Sequence, residues 1–374
     1  MDFQPYPFEK LNDLIKEIPK KDGLISLGIG EPQFDTPEFI CNAVCEDVKL
    51  FNKYPKTAGE DFLNNAIIEY VKNRFNIEIA RDEIVSTFGT REVLFNLPQF
   101  LLFNKQNPTI AHPNPFYQIY EGATIASKAN SIYMNLTKEN GYKPTLSKED
   151  MEKCDVVILN SPNNPTGISL SIDELQEWVE NALTYNFVLI NDECYSDIYS
   201  LNPPCSILEA SIKANNKSFK NILAINSISK RSSAPSLRSG FVAGDREILQ
   251  KYARYRTYVG AASPSPLQRA ASLAWRDIKS VEENRQKYKE NLQLASEILS
   301  ISVPSETFYV WLYVGDDLQW TKELLLRENI LVLPGSFLSR CDNGINPGKG
   351  YVRLALVYTQ DIIKTALHGI KKCL

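Results

Sequence analysis

The segment SISKRSSAPSLRSG, Ser227 to Gly240, sets a lysine eight residues ahead of an arginine, with serines beside both. A lysine amine can form an imine with a carbonyl compound, and a hydroxyl beside a planar guanidinium can hold a phosphate dianion. Lys230 would carry the imine, and Ser227 and Arg238 the phosphate. Alone, the segment reads more readily as a solvated loop. In NDECYSDIY, Asp192 closes an apolar run, where an unpaired buried carboxylate is costly and a cationic ring nitrogen is a natural partner. Tyr195, three residues on, is within reach of the same ligand. NSPNNPTG, Asn160 to Gly167, is a strand-to-helix turn whose asparagine amides can donate to a phenolate oxygen. In STFGTREVLF, Gly89, Thr90 and Arg91 close a strand and open a helix, whose free amide groups suit an anion. Many α/β turns look like this one.

Other chemistries are poorly supplied. The two histidines, His112 and His368, sit in no motif for a zinc deaminase, a metal site or a Ser-His-Asp hydrolase. His112 ends the apolar run TIAH and reads as structural. Seven cysteines without a CxxC make neither a disulfide framework nor a zinc site. Cys41 and Cys45, four apart on an expected helix, read as small packing residues. No GxGxxG or P-loop argues for a dinucleotide or nucleoside triphosphate. A net charge of -4 offers no basic face to nucleic acid or anionic lipid. No apolar run has the length of a bilayer span, and MDFQPYPFEK lacks a signal-peptide pattern, so the cytoplasm is the expected compartment.

These residues need a scaffold. A chain of 374 residues usually splits its core, so two domains are expected. Strand patterns cover 84–87, 108–111, 156–160, 187–191, 222–226 and 241–243, with helical patterns at 91–103 and 171–185 between them. Ser171 and Glu174 form a capping-box signature at the second helix. Such alternation implies a mostly parallel sheet covered by helices on both faces, with ligands at the strands' carboxyl ends. After Pro266 a long polar helix over 267–299 is expected. Strand-like runs at 307–314 and 350–357 follow, with the Pro- and Gly-rich N-terminal segment packed against them.

The SPNNPTG, DECY and SxSKR…R segments, in that order, are signatures by which the chain resembles the fold type I, class I and II pyridoxal-phosphate aminotransferases, from LGIGEPQFDTP through to GYVRLAL. The resemblance implies a large domain over 41–276, built on a mostly parallel sheet of the seven-stranded type, and a small α+β domain from 1–40 and 277–374. It implies that Lys230 holds pyridoxal 5'-phosphate as a Schiff base and, once released, shuttles the substrate's Cα proton. Asp192 would keep the ring nitrogen protonated, while Tyr195 and Asn164 would bond the ring's hydroxyl oxygen. Gly89, Thr90, Arg91, Ser227 and Arg238 match the phosphate cup, Arg91 through its backbone. Tyr117, in NPFYQIYEG, matches the aromatic residue that stacks on the ring. Tyr54, in KYPKTAG, matches a tyrosine that reaches the neighbouring subunit's phosphate, which implies a homodimer with composite sites. Arg353, the one arginine of an apolar C-terminal strand, would grip the substrate's α-carboxylate, with Gly30 and Asn164 beside it. The cycle implied is ping-pong exchange between an amino acid and a keto acid, with glutamate and 2-oxoglutarate as the expected pair.

HPNPFYQIYEGA and SKRSSAPSLRSGFVAGD are similar to the N-succinyldiaminopimelate aminotransferases of bacterial lysine biosynthesis. Their substrate carries a distal carboxylate, for which Arg231 and Lys56 are candidate readers. The alternatives are a broader aspartate or aromatic aminotransferase and a C–S lyase. A binding module that lost the chemistry need not keep Lys230, Asp192, Arg238 and Arg353.

Overall fold

The computed structural model describes residues 3–19, 21–260 and 262–374; Met1, Asp2 and Lys20 of the N-terminal arm, and Ala261, lie outside the described residues. All six expected strands of the central sheet form, as β1 (Ile84–Thr87), β2 (Thr109–Asn114), β4 (Val156–Asn160), β5 (Val188–Asp192), β6 (Ile222–Ser227) and β7 (Gly240–Gly244). The seventh, β3 (Asn130–Asn135), was not expected. It is an edge strand whose first two residues are exposed, so its sequence NSIYMN is too polar to stand out. The sheet order is β1-β7-β6-β5-β4-β2-β3, and β7 alone runs against its neighbours. Strands β4, β6 and β7 are buried at every residue, which requires helices on both faces. The helix Ile172–Tyr185 starts as expected: the Ser171 amide donates to Glu174 at 2.8 Å and the Glu174 amide to the Ser171 hydroxyl at 3.3 Å.

The stretch 267–299 is two helices, Ser265–Arg276 and Lys279–Leu299. No glycine or proline marks the break. The first helix ends where Arg231 donates to the Ala274 and Asp277 carbonyls at 2.7 and 3.0 Å, and the second begins where Asp277 accepts from the Ser280 amide. A long-range contact, invisible in local pattern, divides the run.

A second, antiparallel sheet is formed by β8 (Tyr309–Tyr313), β9 (Leu333–Pro334) and β10 (Tyr351–Ala355), in the order β9-β10-β8. Its apolar cluster includes Leu292, Val310, Leu324, Leu354 and Leu367 and is separate from the clusters of the large sheet. Ile25–Ser26 pairs with Ile330–Leu331, and the helix Pro7–Ile15 lays Leu11 and Ile15 on Leu325, Leu331 and Leu338. Cys41 and Cys45 are exposed, contrary to the packing role expected. Their helix buries Ile40 and Ala43 on the other face. Among the described residues no helix is long and apolar enough to cross a membrane.

Candidate active site

A cavity of about 850 Å³ opens at the carboxyl ends of β1, β4, β5 and β6, closed on the other side by the loop after Ile25–Ser26 and by β8 to β10. At one end lies the N-terminus of the helix Thr90–Leu102. Its capping residue is Gly89, at φ +76°, which supplies no side-chain bond to the free amides. A Cβ at Gly89 would stand 2.4 Å from Arg238 Nη2, so only glycine admits the guanidinium here. Arg238 is fixed by donating to the Pro235 carbonyl at 2.7 Å and the Phe88 carbonyl at 3.1 Å. Thr90 and Ser227 line the same end, bridged by Cys194, whose thiol lies 3.3 Å from Thr90 Oγ1 and 3.9 Å from Ser227 Oγ. Burial, then the nearby Arg91 cation, lowers the Arg238 pKa. An anion would relieve both.

In the middle, Asp192 ends β5 at 4 % exposure. Its Oδ2 accepts from the Tyr120 hydroxyl at 2.8 Å and its Oδ1 from the Cys194 amide at 3.3 Å. Burial raises its pKa, against the pull of these bonds. A cation opposite would restore the charged form. Tyr120 was missed in the sequence. It lies three residues after Tyr117, in the first turn of the helix Ile119–Ala126, with its ring centroid 5.9 Å from that of Tyr117. Tyr195 lies 3.1 Å, oxygen to oxygen, from Tyr309, another residue not anticipated.

At the far end, Lys230 Nζ donates to the Gly30 carbonyl at 2.5 Å. Burial chiefly lowers its pKa to about 8, which leaves a nucleophilic amine near neutrality. Arg353, 5 % exposed, donates to Asn164 Oδ1 at 2.9 Å and to the Gly28 carbonyl at 2.6 Å, while its Nε has no hydrogen-bond partner among the described residues. Its cation is thus held by an amide and a carbonyl rather than a carboxylate. With Asn164 Oδ1 engaged as acceptor, that side chain's NH2 remains to donate.

One expectation fails here. Arg231 does not face the cavity: it is buried on Asp197 at 2.6 Å and on the helix end at Ala274 and Asp277. Successive residues of the short helix Ile228–Arg231 diverge, so Lys230 and Arg231 point to different surroundings. Lys56, two residues after Tyr54, lies outside this chain's cavity and pairs with Asp61 at 3.0 Å. Arg91, expected to act through its backbone, also brings its side chain in, with Nε donating to the Tyr117 hydroxyl at 2.9 Å. Tyr54 is fully exposed and lines no part of this chain's cavity. His112 is structural as expected: it is packed on Phe116 and Tyr133, and burial lowers its pKa to about 4.

Comparison with known proteins matches residues 22–370 to the aminotransferase class I and II family. The LL-diaminopimelate aminotransferase of Natranaerobius thermophilus is 32% identical, over 98% of this chain and 96% of that protein. Aromatic-amino-acid aminotransferase 2 of Thermococcus litoralis is 29% identical, over 99% and 96%. The crystal structure of aminotransferase AspB from Helicobacter pylori 26695 superposes with a TM-score of 0.97 at 50% identity, over 100% of this chain and 99% of that one. The family's cofactor, pyridoxal 5'-phosphate, suits the donor set: a cation beside free helix amides, a buried carboxylate with no cation paired to it among the described residues, and an amine whose pKa burial lowers to about 8. This pyridoxal-phosphate-dependent transaminase, an α/β protein of fold type I, belongs to the class I and II aminotransferases.

Proposed function

We propose that the chain exchanges an amino group between glutamate and a keto acid bearing a distal carboxylate, most specifically N-succinyl-2-amino-6-ketopimelate, giving N-succinyl-LL-diaminopimelate. The observation that carries the reading is that the cavity holds, besides Arg238, two further guanidiniums, Arg353 and Arg91. One suits an α-carboxylate, and the other an anion at the far end of the substrate. Arg91 thereby takes the part first given to Arg231 or Lys56. The relative named for LL-diaminopimelate supports the substrate class. A second reading, an aromatic amino-acid aminotransferase, is favoured by Tyr6, Phe8 and Phe95 on the cavity wall.

When bound, pyridoxal phosphate supplies a carbonyl for the amine and a ring that accepts the electron pair left on Cα. Around it, Thr90, Ser227, Arg238 and the amides after Gly89 would hold the phosphate. Asp192 would keep the ring nitrogen protonated, Tyr195 and Asn164 would donate to the ring oxygen, and Tyr117 would pack on the ring. Arg353 orients the substrate by its carboxylate, beside Gly30. The freed Lys230 amine removes the proton from Cα and redelivers it, as base and then acid.

The reading includes a homodimer. Phe51, Tyr54 and Tyr258 are 60%, 101% and 89% exposed, and Thr57 meets Thr257 at 3.4 Å, which sets the segment after the short helix Val48–Asn52 beside the last turn of the helix Arg246–Val259. Such a patch suits burial by a second copy, with Tyr54 reaching its phosphate end. It also retains domains at 41–276 and at 1–40 with 277–374, supported by an apolar cluster in each, with Ile40 packing into the larger one and Tyr195 and Ile198 meeting Tyr288 and Phe308 where the two adjoin.

The test is a coupled assay with glutamate as donor and N-succinyl-2-amino-6-ketopimelate as acceptor, compared with the keto acids of LL-diaminopimelate, aspartate and phenylalanine. No turnover of the succinylated acceptor removes the narrow reading. Faster turnover of phenylpyruvate selects the aromatic one.

A further inference from the structure

Tyr309, at the start of β8, is 2 % exposed and joins two parts of the cavity. Its hydroxyl lies 3.1 Å from that of Tyr195, and the Arg353 guanidinium stands 4.6 Å from its ring centroid. Its position is tightly set. The Tyr309 amide donates to Thr307 Oγ1 at 3.0 Å, and a Cβ at Gly30 would come within 1.8 Å of its hydroxyl oxygen. For Tyr195 to donate to a ligand, its oxygen must accept, and Tyr309 is the hydroxyl placed to donate to it. A hydroxyl that accepts a bond becomes a stronger donor. A cation on the Tyr309 ring draws electron density from it and strengthens the first bond of this chain.

We propose that Tyr309 is a positioning residue, which orients and polarises the Tyr195 hydroxyl and connects it to the guanidinium that grips the carboxylate. The proposal rests on the roles given above to Tyr195 and Arg353. A carboxylate that neutralises Arg353 weakens the donation of Tyr309, and so loosens the hold of Tyr195 on the ring oxygen. Substrate arrival is thereby reported to the cofactor. Asn164, which also touches Arg353, offers a parallel route, so Tyr309 carries part of the signal.

The test is a pH titration of the bound cofactor's absorbance in the holoenzyme, with and without succinate as a carboxylate that lacks an amine. Tyr309→Phe keeps the ring and loses one oxygen. Its titration midpoint should rise by about half a unit to one unit, the worth of one hydrogen bond, and the further rise on adding succinate should be smaller than in the wild type. Tyr195→Phe is the control. If Tyr195→Phe moves the midpoint and Tyr309→Phe does not, the proposal falls and the role of Tyr195 stands. If neither moves it, both fall. A succinate response in Tyr309→Phe equal to that of the wild type overturns the connection to Arg353.

Discussion

Lys230 and Gly30, 200 residues apart in the chain, meet through a 2.5 Å hydrogen bond from the amine to the carbonyl. The loop that follows Ile25–Ser26 thus reaches over the large sheet and touches the reactive amine directly. Because burial lowers the lysine pKa to about 8, the neutral form is well populated just above neutrality. The apo chain should therefore take up pyridoxal phosphate faster as pH rises, with a midpoint near 8 rather than at the 10.5 of a free lysine. Stopped-flow absorbance measures this. A midpoint at the free-lysine value would show that the amine is not desolvated. Lys230→Ala should show no turnover at any pH.

Asp192 and Tyr120 give a graded pair of variants. Asp192→Ala removes the carboxylate placed to keep a ring nitrogen protonated, and should slow the half-reaction with glutamate by orders of magnitude. Tyr120→Phe removes one 2.8 Å bond to that carboxylate and should slow the same half-reaction about fivefold, for a bond worth about 1 kcal/mol. Single-turnover absorbance separates the two. Equal rates in Asp192→Ala and the wild type would contradict the role of this carboxylate.

The contrast between Asp192 and Tyr120 also shows what was legible in the chain. Asp192, Asn164, Lys230 and Arg238 sit in short motifs near strand ends; the lysine segment alone reads as a loop, and it is the motifs in their joint order, with the resemblance they carry, that mark these residues. Tyr120, Tyr309 and Cys194 act through contacts with residues far away in the chain, and each looks like ordinary core. Apolar strands of the large sheet announced themselves because both faces are buried, whereas β3 at the edge did not. Arg231 was misread for the same reason as the helix break at Asp277. Its partners, Asp197, Ala274 and Asp277, are 34 to 46 residues distant.

Arg353 and Arg91 should separate by kinetic signature. Arg353→Lys keeps the charge but loses the planar fork, and KM for every amino donor should rise about 10- to 100-fold with the cofactor still bound. Arg91→Gln should raise KM for donors with a distal carboxylate by a similar factor and leave phenylalanine nearly unchanged. Steady-state kinetics with glutamate and phenylalanine checks both. A uniform loss in Arg91→Gln would show that it serves the phosphate end and not the substrate.

Arg231 is the place to test stability apart from chemistry. Asp197 is held by Arg231 at 2.6 Å, Arg74 at 3.0 Å and Tyr70 at 2.9 Å, with the Arg231 and Asp197 side chains 5% and 8% exposed. Burial alone would raise the Asp197 pKa, but Arg231 and then Arg74 more than offset it, so the carboxyl lies below its usual value. A lowered carboxyl pKa contributes stability that is complete above the unfolded value of about 4 and lost as pH falls through the folded one. Arg231→Ala leaves a buried carboxylate short of a partner and should cost about 3 kcal/mol in urea unfolding at neutral pH. Its acid unfolding should also begin at higher pH than in the wild type, because the folded-state pKa climbs. Arg231→Ala with Asp197→Asn removes the unpaired charge as well, and should recover part of the loss and move the acid transition back down. An acid transition at the wild-type pH in the single variant would show that Arg74 and Tyr70 hold this carboxylate without Arg231.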